Sequence, residues 1–347
     1  MSKFERLRAL WAPLAIAFAG LAIAALAFAG CTRQAPATPA ATSPTFKVAL
    51  MTPGPVSDAG WNAAAFDGLQ LIKKDLGADT SQVQNTSPAD FEDSFRDFAS
   101  RGYNLIFAHG FEYTDTAIKV AKLFPNTIFV ITSGSRTSAN VAALAFKIEE
   151  AAYVEGVLAG EVTKSGVVGA VGGIKLPTVS VTFDGFALGF HSIRPSGRML
   201  VSYTGNFEDV GAAKEAALAQ ISQGADLLFH NADAAGLGVF QAAAQAHIYA
   251  FGTTRNQNDV MPETVLASAV SDVPHAFLKI ASEVKAHQFH PAMIEFGMKE
   301  GMVRVILNPG LESKIPAAAL EQTRLAEQQV IAGKVALPKM PALASGD

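Results

Sequence analysis

The chain has 347 residues, enough for two domains, and half of them are hydrophobic. Its formal net charge is -4, and no basic block occurs in the body of the chain. Because nucleic-acid phosphates attract clustered Lys and Arg, this charge pattern argues against nucleic acid as a partner.

The N-terminus has the pattern of a targeting segment. MSKFERLR is basic, LWAPLAIAFAGLAIAALAFAG is uncharged and apolar, and Cys31 follows as the only cysteine. This ending resembles a bacterial lipobox, although Phe28 stands where leucine is usual. We therefore expect residues 1–30 to be a lipoprotein signal peptide and Cys31 to be lipidated. The alternative is an uncleaved membrane anchor, since about 20 apolar residues can span a bilayer; both place the body outside the cytoplasm, on the cell membrane or outer membrane.

The next segment, residues 31–45, is rich in Pro, Ala, Thr and Ser and is predicted to be a flexible tether. From Phe46 onward, short apolar runs alternate with amphipathic helical patterns, which is typical of an α/β fold with parallel sheets. Predicted strands are 46–51, 103–109, 127–132, 166–173, 198–205, 225–232, 248–253, 263–270 and 301–308. Predicted helices lie near 69–76, 91–98, 115–123, 149–164, 179–190, 209–223, 238–247 and 271–287.

The βα pattern restarts near Phe146, which indicates two similar lobes. We predict that one lobe holds residues 46–145 and 272–298 and the other 146–271 and 299–338. The last residues, 339–347, are predicted to be a frayed tail.

Two aromatic residues follow strand ends, where open parallel sheets bind ligands. Trp61 in SDAGWN follows the first strand, and Phe207 in GNFED holds an equivalent place in the second lobe. Two such rings can enclose a planar ligand by stacking. Asp58 and Asn62 are then placed to select its polar edge, but Asp58 could also cap the following helix. Packing of either ring into its own lobe is the alternative interpretation.

No catalytic motif is found. The sequence has no Gly-x-Ser-x-Gly and no metal-ligand cluster, and its single cysteine is in the leader. His287 and His290 stand alone and are expected to be exposed. We therefore expect no enzyme activity, no cofactor and no metal. Asn231, at the end of a strand, is the better ligand-contact candidate than its neighbour His230, which is expected to be a satisfied core histidine.

Four stretches carry a resemblance to a known family: FKIEEAAYVEGVLAGEVTKSGVVGAVGG (146–173), TFDGFALGF (182–190), GNFED (205–209) and GADLLFHNADAAGLGVFQAA (224–243). The chain resembles the basic membrane protein family of ABC-transporter substrate-binding lipoproteins, which includes purine nucleoside receptors. The resemblance implies a type I periplasmic-binding fold with three crossovers between its lobes. It also implies a clamp of Trp61 with Phe207, and a base-contacting carboxylate at Asp115, which could equally be a helix N-cap.

Two departures from the family pattern fall at the expected sugar end of the site. Thr254 stands where the family has a ribose-binding carboxylate, and Ser271 stands where it has a lysine. A carboxylate can bind vicinal hydroxyls through charge-assisted hydrogen bonds, which threonine cannot make. We therefore expect a purine-like base or another flat heterocycle as ligand, with ribose not required, and Phe111 packed beside it.

The resemblance further implies a monomer that delivers its ligand to an ABC permease in the membrane. Signalling to a membrane sensor is an alternative use of the same hinge closure, and a surface adhesin is a third possibility.

Overall fold

The computed structural model describes residues 45–85 and 87–339. The predicted signal peptide, Cys31, nearly all of the tether and most of the tail lie outside the described residues.

The first sheet has six strands in the order β11-β5-β4-β3-β1-β2, all paired in parallel. Its strands are β1 (Lys47–Thr52), β2 (Asp79–Gln84), β3 (Leu105–His109), β4 (Ile128–Thr132), β5 (Val141–Phe146) and β11 (Met293–Phe296).

The second sheet also has six strands, in the order β12-β10-β9-β8-β6-β7. They are β6 (Val167–Gly172), β7 (Arg198–Tyr203), β8 (Leu227–Asn231), β9 (Tyr249–Thr254), β10 (Val265–Ser271) and β12 (Val303–Leu307). All neighbours are parallel except β12, which runs antiparallel to β10.

Helices cover both faces of each sheet, which explains why the central strands are buried throughout. The helices of the described chain are α1 (Trp61–Leu76), α2 (Phe91–Ser100), α3 (Thr114–Ala121), α4 (Ile148–Val162), α5 (Pro177–Ile193), α6 (Val210–Ser222), α7 (Gly236–Gln245), α8 (Val273–Lys285) and α9 (Ala317–Ile331).

Each sheet carries one core on each side. In the first sheet, α1 and α8 pack on one face, and α2 and α3 pack on the other. Phe107 of β3 stacks on Phe277 of α8 with ring centroids 3.9 Å apart. In the second sheet, Phe186 of α5 stacks on Phe229 of β8 at 4.6 Å, and α6 and α7 cover the opposite face. These aromatic contacts hold the helices at fixed positions above the sheets.

The chain passes between the sheets three times, after β5, after β10 and after β11. The predicted fold class, two α/β lobes with parallel-dominated sheets, is confirmed. The exact residue boundaries of the two lobes stay a prediction. Among the described residues, no helix is both long and apolar enough to cross a membrane.

Candidate functional site

A cleft of about 680 Å³ lies at the strand ends of both sheets. Its volume is within the range of small-molecule pockets. The predicted site residues that line it are Asp58, Trp61, Asn62, Phe111, Phe207, Asn231, Thr254 and Ser271.

Trp61 begins α1 and stacks on His109, the last residue of β3, with ring centroids 3.9 Å apart and an interplanar angle of 24°. Burial lowers the pKa of His109 to about 3, so this imidazole is neutral. Its Nε2–H donates to the Trp61 carbonyl at 3.0 Å, and its Nδ1 accepts from the Thr132 hydroxyl at 3.0 Å. Since His109 covers one face of the indole, a ligand in the cleft has the other face to stack on.

Phe207 lies directly over Gly173, where any side chain would collide with the phenyl ring. The ring is partly buried and packs against the core of the second sheet. Gly173 therefore permits the close approach that sets the position of Phe207. Each of the two predicted rings thus has a defined support, and the two supports belong to different sheets.

Asp58 accepts hydrogen bonds from four donors at the start of α1. These are the backbone N–H groups of Gly60, Asn62 and Ala63 at 2.8–3.0 Å and the Asn62 side-chain amide at 2.8 Å. Its side chain is buried, and a carboxylate has about four acceptor positions. Asp58 therefore performs the capping role that the sequence analysis left open.

Asn62 and Asn85 place amide groups at the cleft wall. The Asn62 Nδ2 group donates to Asp58, which fixes the orientation of this amide because a carboxylate only accepts. Asn85 follows β2 and donates through Nδ2 to the Ser94 hydroxyl at 2.9 Å. In both residues the amide oxygen is buried without a hydrogen-bond partner.

Three carboxylates that line the cleft, those of Glu112, Glu208 and Asp233, were not among the predicted site residues, and two of them have a raised pKa. Glu112 follows β3, and burial raises the pKa of its carboxyl. Asp233 follows β8 and accepts the Trp61 backbone N–H at 3.2 Å, a contact between the two sheets. Burial and the nearby Asp58 charge raise the pKa of Asp233 to about 7. Both residues lie one turn beyond a strand end, and that position is the sequence signal that could have found them.

Thr254, Ser271 and Asn231 are the last residues of β9, β10 and β8. Thr254 has φ of 72°, a value that is rare for a β-branched residue and marks local strain at the cleft. Thr254 and Ser271 are both buried. In the described chain, no Lys, Arg or His side chain lines the cleft.

Asp115 is not among the lining residues of the cleft. Its side chain is 83% exposed and forms an ion pair with Arg136. Nor is it an N-cap, because α3 begins at Thr114 and Asp115 lies in its first turn. Both roles considered for Asp115 therefore lack support in this arrangement, since a ligand in the cleft would not meet it.

His230 is fully buried beside the site, and its Nε2 is 3.0 Å from the Gln257 amide oxygen. Burial lowers its pKa to about 4, and its Nδ1 has no partner, so it is only half satisfied. Within residues 45–85 and 87–339, no group of three or more His, Cys, Asp or Glu side chains is placed to hold a metal ion.

A two-lobed α/β fold with a cleft between its lobes, lined by aromatic and polar side chains, is the arrangement of a small-molecule binding site. The family model described as Bmp, ABC transporter substrate-binding protein PnrA-like, matches residues 45–339. The chain belongs to this family of ABC-transporter substrate-binding proteins, and the resemblance inferred from sequence is confirmed. Members of the family are binding proteins that act outside the cytoplasm, not enzymes.

Relatives with assigned names agree with this membership. A purine-binding protein of Brucella abortus (strain 2308) is 31% identical over 262 residues, covering 75% of this chain and 74% of that protein. The ABC transporter nucleoside-binding protein BmpA of Lactococcus lactis subsp. cremoris (strain MG1363) is 26% identical over 349 residues, covering 93% and 98%.

Solved structures show the same fold. An ABC-transporter solute-binding protein from Aeropyrum pernix K1 superposes with a TM-score of 0.78 at 21% identity, over 87% of this chain and 95% of that one. A second, from Conexibacter woesei DSM 14684, has a TM-score of 0.71 at 25% identity, over 85% and 99%.

Proposed function

We propose that this protein is the lipid-anchored receptor of an ABC importer and binds a purine base, a nucleoside or a similar flat heterocycle between its lobes. The ligand stacks on the free face of Trp61 and on Phe207. Closure of the lobes around it produces the form that the membrane permease recognises. The receptor acts as a monomer.

The observation that carries this proposal is the placement of the two rings. Trp61 is supported by His109 of the first sheet, Phe207 lies over Gly173 of the second, and both line one cleft. A thin aromatic ligand would meet an extended apolar surface on each side. Two relatives are named for binding purines or nucleosides, which agrees with a ligand of this shape.

The ligand does not require ribose. Thr254 and Ser271 line the cleft at the ends of two strands, and both side chains are neutral. The family pattern has a carboxylate and a lysine at these two positions. Neutral hydroxyls bind sugar hydroxyls more weakly than charged groups do. Inosine bound far more tightly than both adenine and hypoxanthine would contradict this part of the proposal.

The test uses the tryptophan count. The chain has only Trp11 and Trp61, and Trp11 lies in the predicted signal peptide, so the tryptophan fluorescence of the mature protein reports on the cleft. We expect purine bases to quench the tryptophan emission of the wild-type protein. Trp61→Phe has no tryptophan after removal of the signal peptide, so it should lose this emission and its response to the ligand. Trp61→Ala should weaken binding by about 1–3 kcal/mol, the scale of one aromatic–base stack.

Calorimetric titration of the same variants supplies the affinities. The melting temperature without ligand is the control: it should change little, because Trp61 lies at the cleft surface and outside the core clusters of the described chain. Unaltered affinity in Trp61→Ala would overturn the stacking proposal.

A further inference from the structure

The polar atoms of the cleft wall that lack partners are hydrogen-bond acceptors. The amide oxygens of Asn62 and Asn85 are buried without a partner, while the NH2 group of each is engaged by Asp58 or Ser94. Both side chains are more than nine-tenths buried. An acceptor left in this state destabilises the cleft wall, and a ligand N–H donor would remove that cost.

A third acceptor lies on the same side of the cleft. Glu112 lines the cleft and forms no ion pair with a described side chain. Asn85 follows β2, Asn62 belongs to the helix after β1, and Glu112 follows β3. These three strands are neighbours in the first sheet, so their carboxyl ends bring the three acceptors to one wall.

The charged side chains that line the cleft are negative, so they too favour a ligand edge that donates hydrogen bonds. Its lining contains the acidic residues Asp58, Glu112, Glu208 and Asp233 and, in the part of the chain that the structure describes, no basic side chain. Asp58 is compensated by α1 amides, and Asp233 by the Trp61 N–H. Glu112 accepts a hydrogen bond from its own backbone N–H but forms no ion pair with a described side chain, and burial raises the pKa of its carboxyl. A partly buried carboxylate without a cation beside it favours an N–H donor or a cation and disfavours an anion.

We propose that the wall formed by Asn62, Asn85 and Glu112 selects heterocycles whose edge carries an amino group or a positive charge, and that the cleft rejects anionic ligands such as nucleotides. This inference rests on the proposed function, since it assumes that a flat heterocycle occupies the cleft. The ligand edge donates N–H to the Glu112 carboxylate and to the two amide oxygens. An oxo group at the same position would place its oxygen against these acceptors, which would repel it.

The test compares matched ligands by calorimetric titration of the full chain. Adenine and hypoxanthine differ by an amino group in place of an oxo group, and adenosine and its 5′-monophosphate differ by a phosphate. We expect adenine to bind at least about tenfold more tightly than hypoxanthine, because one hydrogen bond to a charged group changes affinity by about this factor. We expect the monophosphate to bind at least about tenfold more weakly than adenosine, because no cation in the lining compensates its charge.

The variant Glu112→Gln keeps the length of the side chain and removes its charge. It should reduce the adenine-to-hypoxanthine affinity ratio about tenfold, since an amide oxygen is a weaker acceptor than a carboxylate. Glu215→Gln, on the exposed surface of α6 away from the cleft lining, is the matched control and should leave the ratio unchanged. The wild-type ratios decide the donor preference even if Glu112→Gln does not fold.

The outcomes separate the two proposals. Hypoxanthine bound as tightly as adenine overturns the donor preference. The monophosphate bound as tightly as adenosine overturns the exclusion of anions. Either result leaves the stacking site in place. Failure of every base and nucleoside to bind overturns the proposed function, and this inference with it.

Discussion

Asp233 makes a direct hydrogen bond between the two lobes. It follows β8 of the second sheet, yet its carboxylate accepts the N–H of Trp61 in the first. Gly60 has no side chain at the point where a Cβ would collide with the Asp233 oxygen. The Asp58 carboxylate accepts the Gly60 N–H, and the Asp233 carboxylate accepts the N–H of Trp61, the next residue. Two carboxylates therefore lie at the N-terminus of α1.

This convergence predicts a pH dependence of stability. The native pKa of Asp233 is about 7, against an ordinary value of 3.8, so the folded protein holds this proton more tightly than the unfolded chain. The contribution of Asp233 to the free energy of unfolding is therefore largest at low pH and is lost as pH rises from about 4 through 7. Asp233→Asn cannot titrate there. Between pH 5 and pH 8, the free energy of unfolding should fall by about 1–2 kcal/mol less in this variant than in the wild type. The expected difference is smaller than the pKa shift alone implies, because Asp233 is partly exposed and solvent screens its charge.

Urea denaturation at the two pH values measures this difference. Asp75→Asn, an exposed position on α1, is the control and should keep the wild-type slope. Burial also raises the pKa of Glu149 to about 7, with the same sign, but this background is present in every variant. Equal slopes for Asp233→Asn and the wild type would contradict the assignment.

Among single residues, the sequence was most informative where the position of a side chain relative to a predicted strand indicates its role. Trp61 and Phe207 could be predicted as cleft residues because large rings just beyond strand ends are uncommon in loops. Glu112 and Asp233 also follow strand ends, which made them candidates, but acidic residues after strands are frequent, and burial is what distinguishes these two from the others. Asp115 was assigned from the resemblance alone, and its solvent-exposed pair with Arg136 depends on the loop after β4, which no local pattern reveals.

At the scale of elements, the N-terminus of α1 supports the site. The helix begins at Trp61 and has no side-chain cap at Gly60, so its first amides depend on Asp58 from the preceding loop. At the other end, Gly77 adopts a left-handed conformation with φ of 62° and ends the helix. The position of the indole is therefore set by a capping interaction that lies three residues before it.

This arrangement predicts that Asp58→Ala destabilises the protein by about 2–3 kcal/mol. The substitution leaves buried N–H groups of α1 without an acceptor, which costs more than loss of an exposed cap. Denaturation in urea measures the change in the free energy of unfolding. Asp115→Ala, in the first turn of α3 but exposed, should change stability by less than about 0.5 kcal/mol. Similar losses in the two variants would show that Asp58 is not a buried cap.

The structure contains elements that hydrophobic patterning did not reveal. The strand β2 reads DTSQVQ and lies at the sheet edge, where polar residues are tolerated, so it lacks the apolar run of a central strand. The strand β11 has only four residues and was not predicted. The strand β5 was not predicted either, although its residues are apolar. The helix α9 buries few of its residues and was likewise not predicted. Long, buried elements were predicted because their periodicity reports burial directly.

For the whole molecule, the two sheets are linked by more than the three chain crossings. Arg255, which follows β9 of the second sheet, forms an ion pair with Asp67 of α1 at 2.6 Å. The Asp233 contact to Trp61 is a second link on the same helix. Both links join the second lobe to α1, so the conformation seen here is held together partly by this helix. A hinged receptor opens when such contacts break, and each link therefore biases the equilibrium towards the closed form.

Removal of the ion pair should shift that equilibrium measurably. Both partners are partly exposed, at 35% and 49% of their side-chain surface, so the pair contributes about 1 kcal/mol at most. Arg255→Ala should therefore enlarge the radius of gyration of the ligand-free protein in X-ray scattering, and should weaken ligand binding by less than about fivefold. With saturating ligand, the radius should return to the wild-type value, because binding energy replaces the lost link.

The matched control is Lys279→Ala, which removes an equally short ion pair to Glu283 within α8 and touches only one lobe. Its scattering should match the wild type with and without ligand. If Arg255→Ala also scatters like the wild type, the ion pair does not bias closure. If instead its affinity falls by orders of magnitude, Arg255 contacts the ligand directly, and the neutral character inferred for this end of the cleft is wrong. For Arg255→Ala we therefore expect three results together: a larger radius of gyration without ligand, an unchanged radius of gyration with ligand, and a small loss of affinity. This combination is specific to a link between the lobes, because neither a folding defect nor a lost ligand contact produces all three.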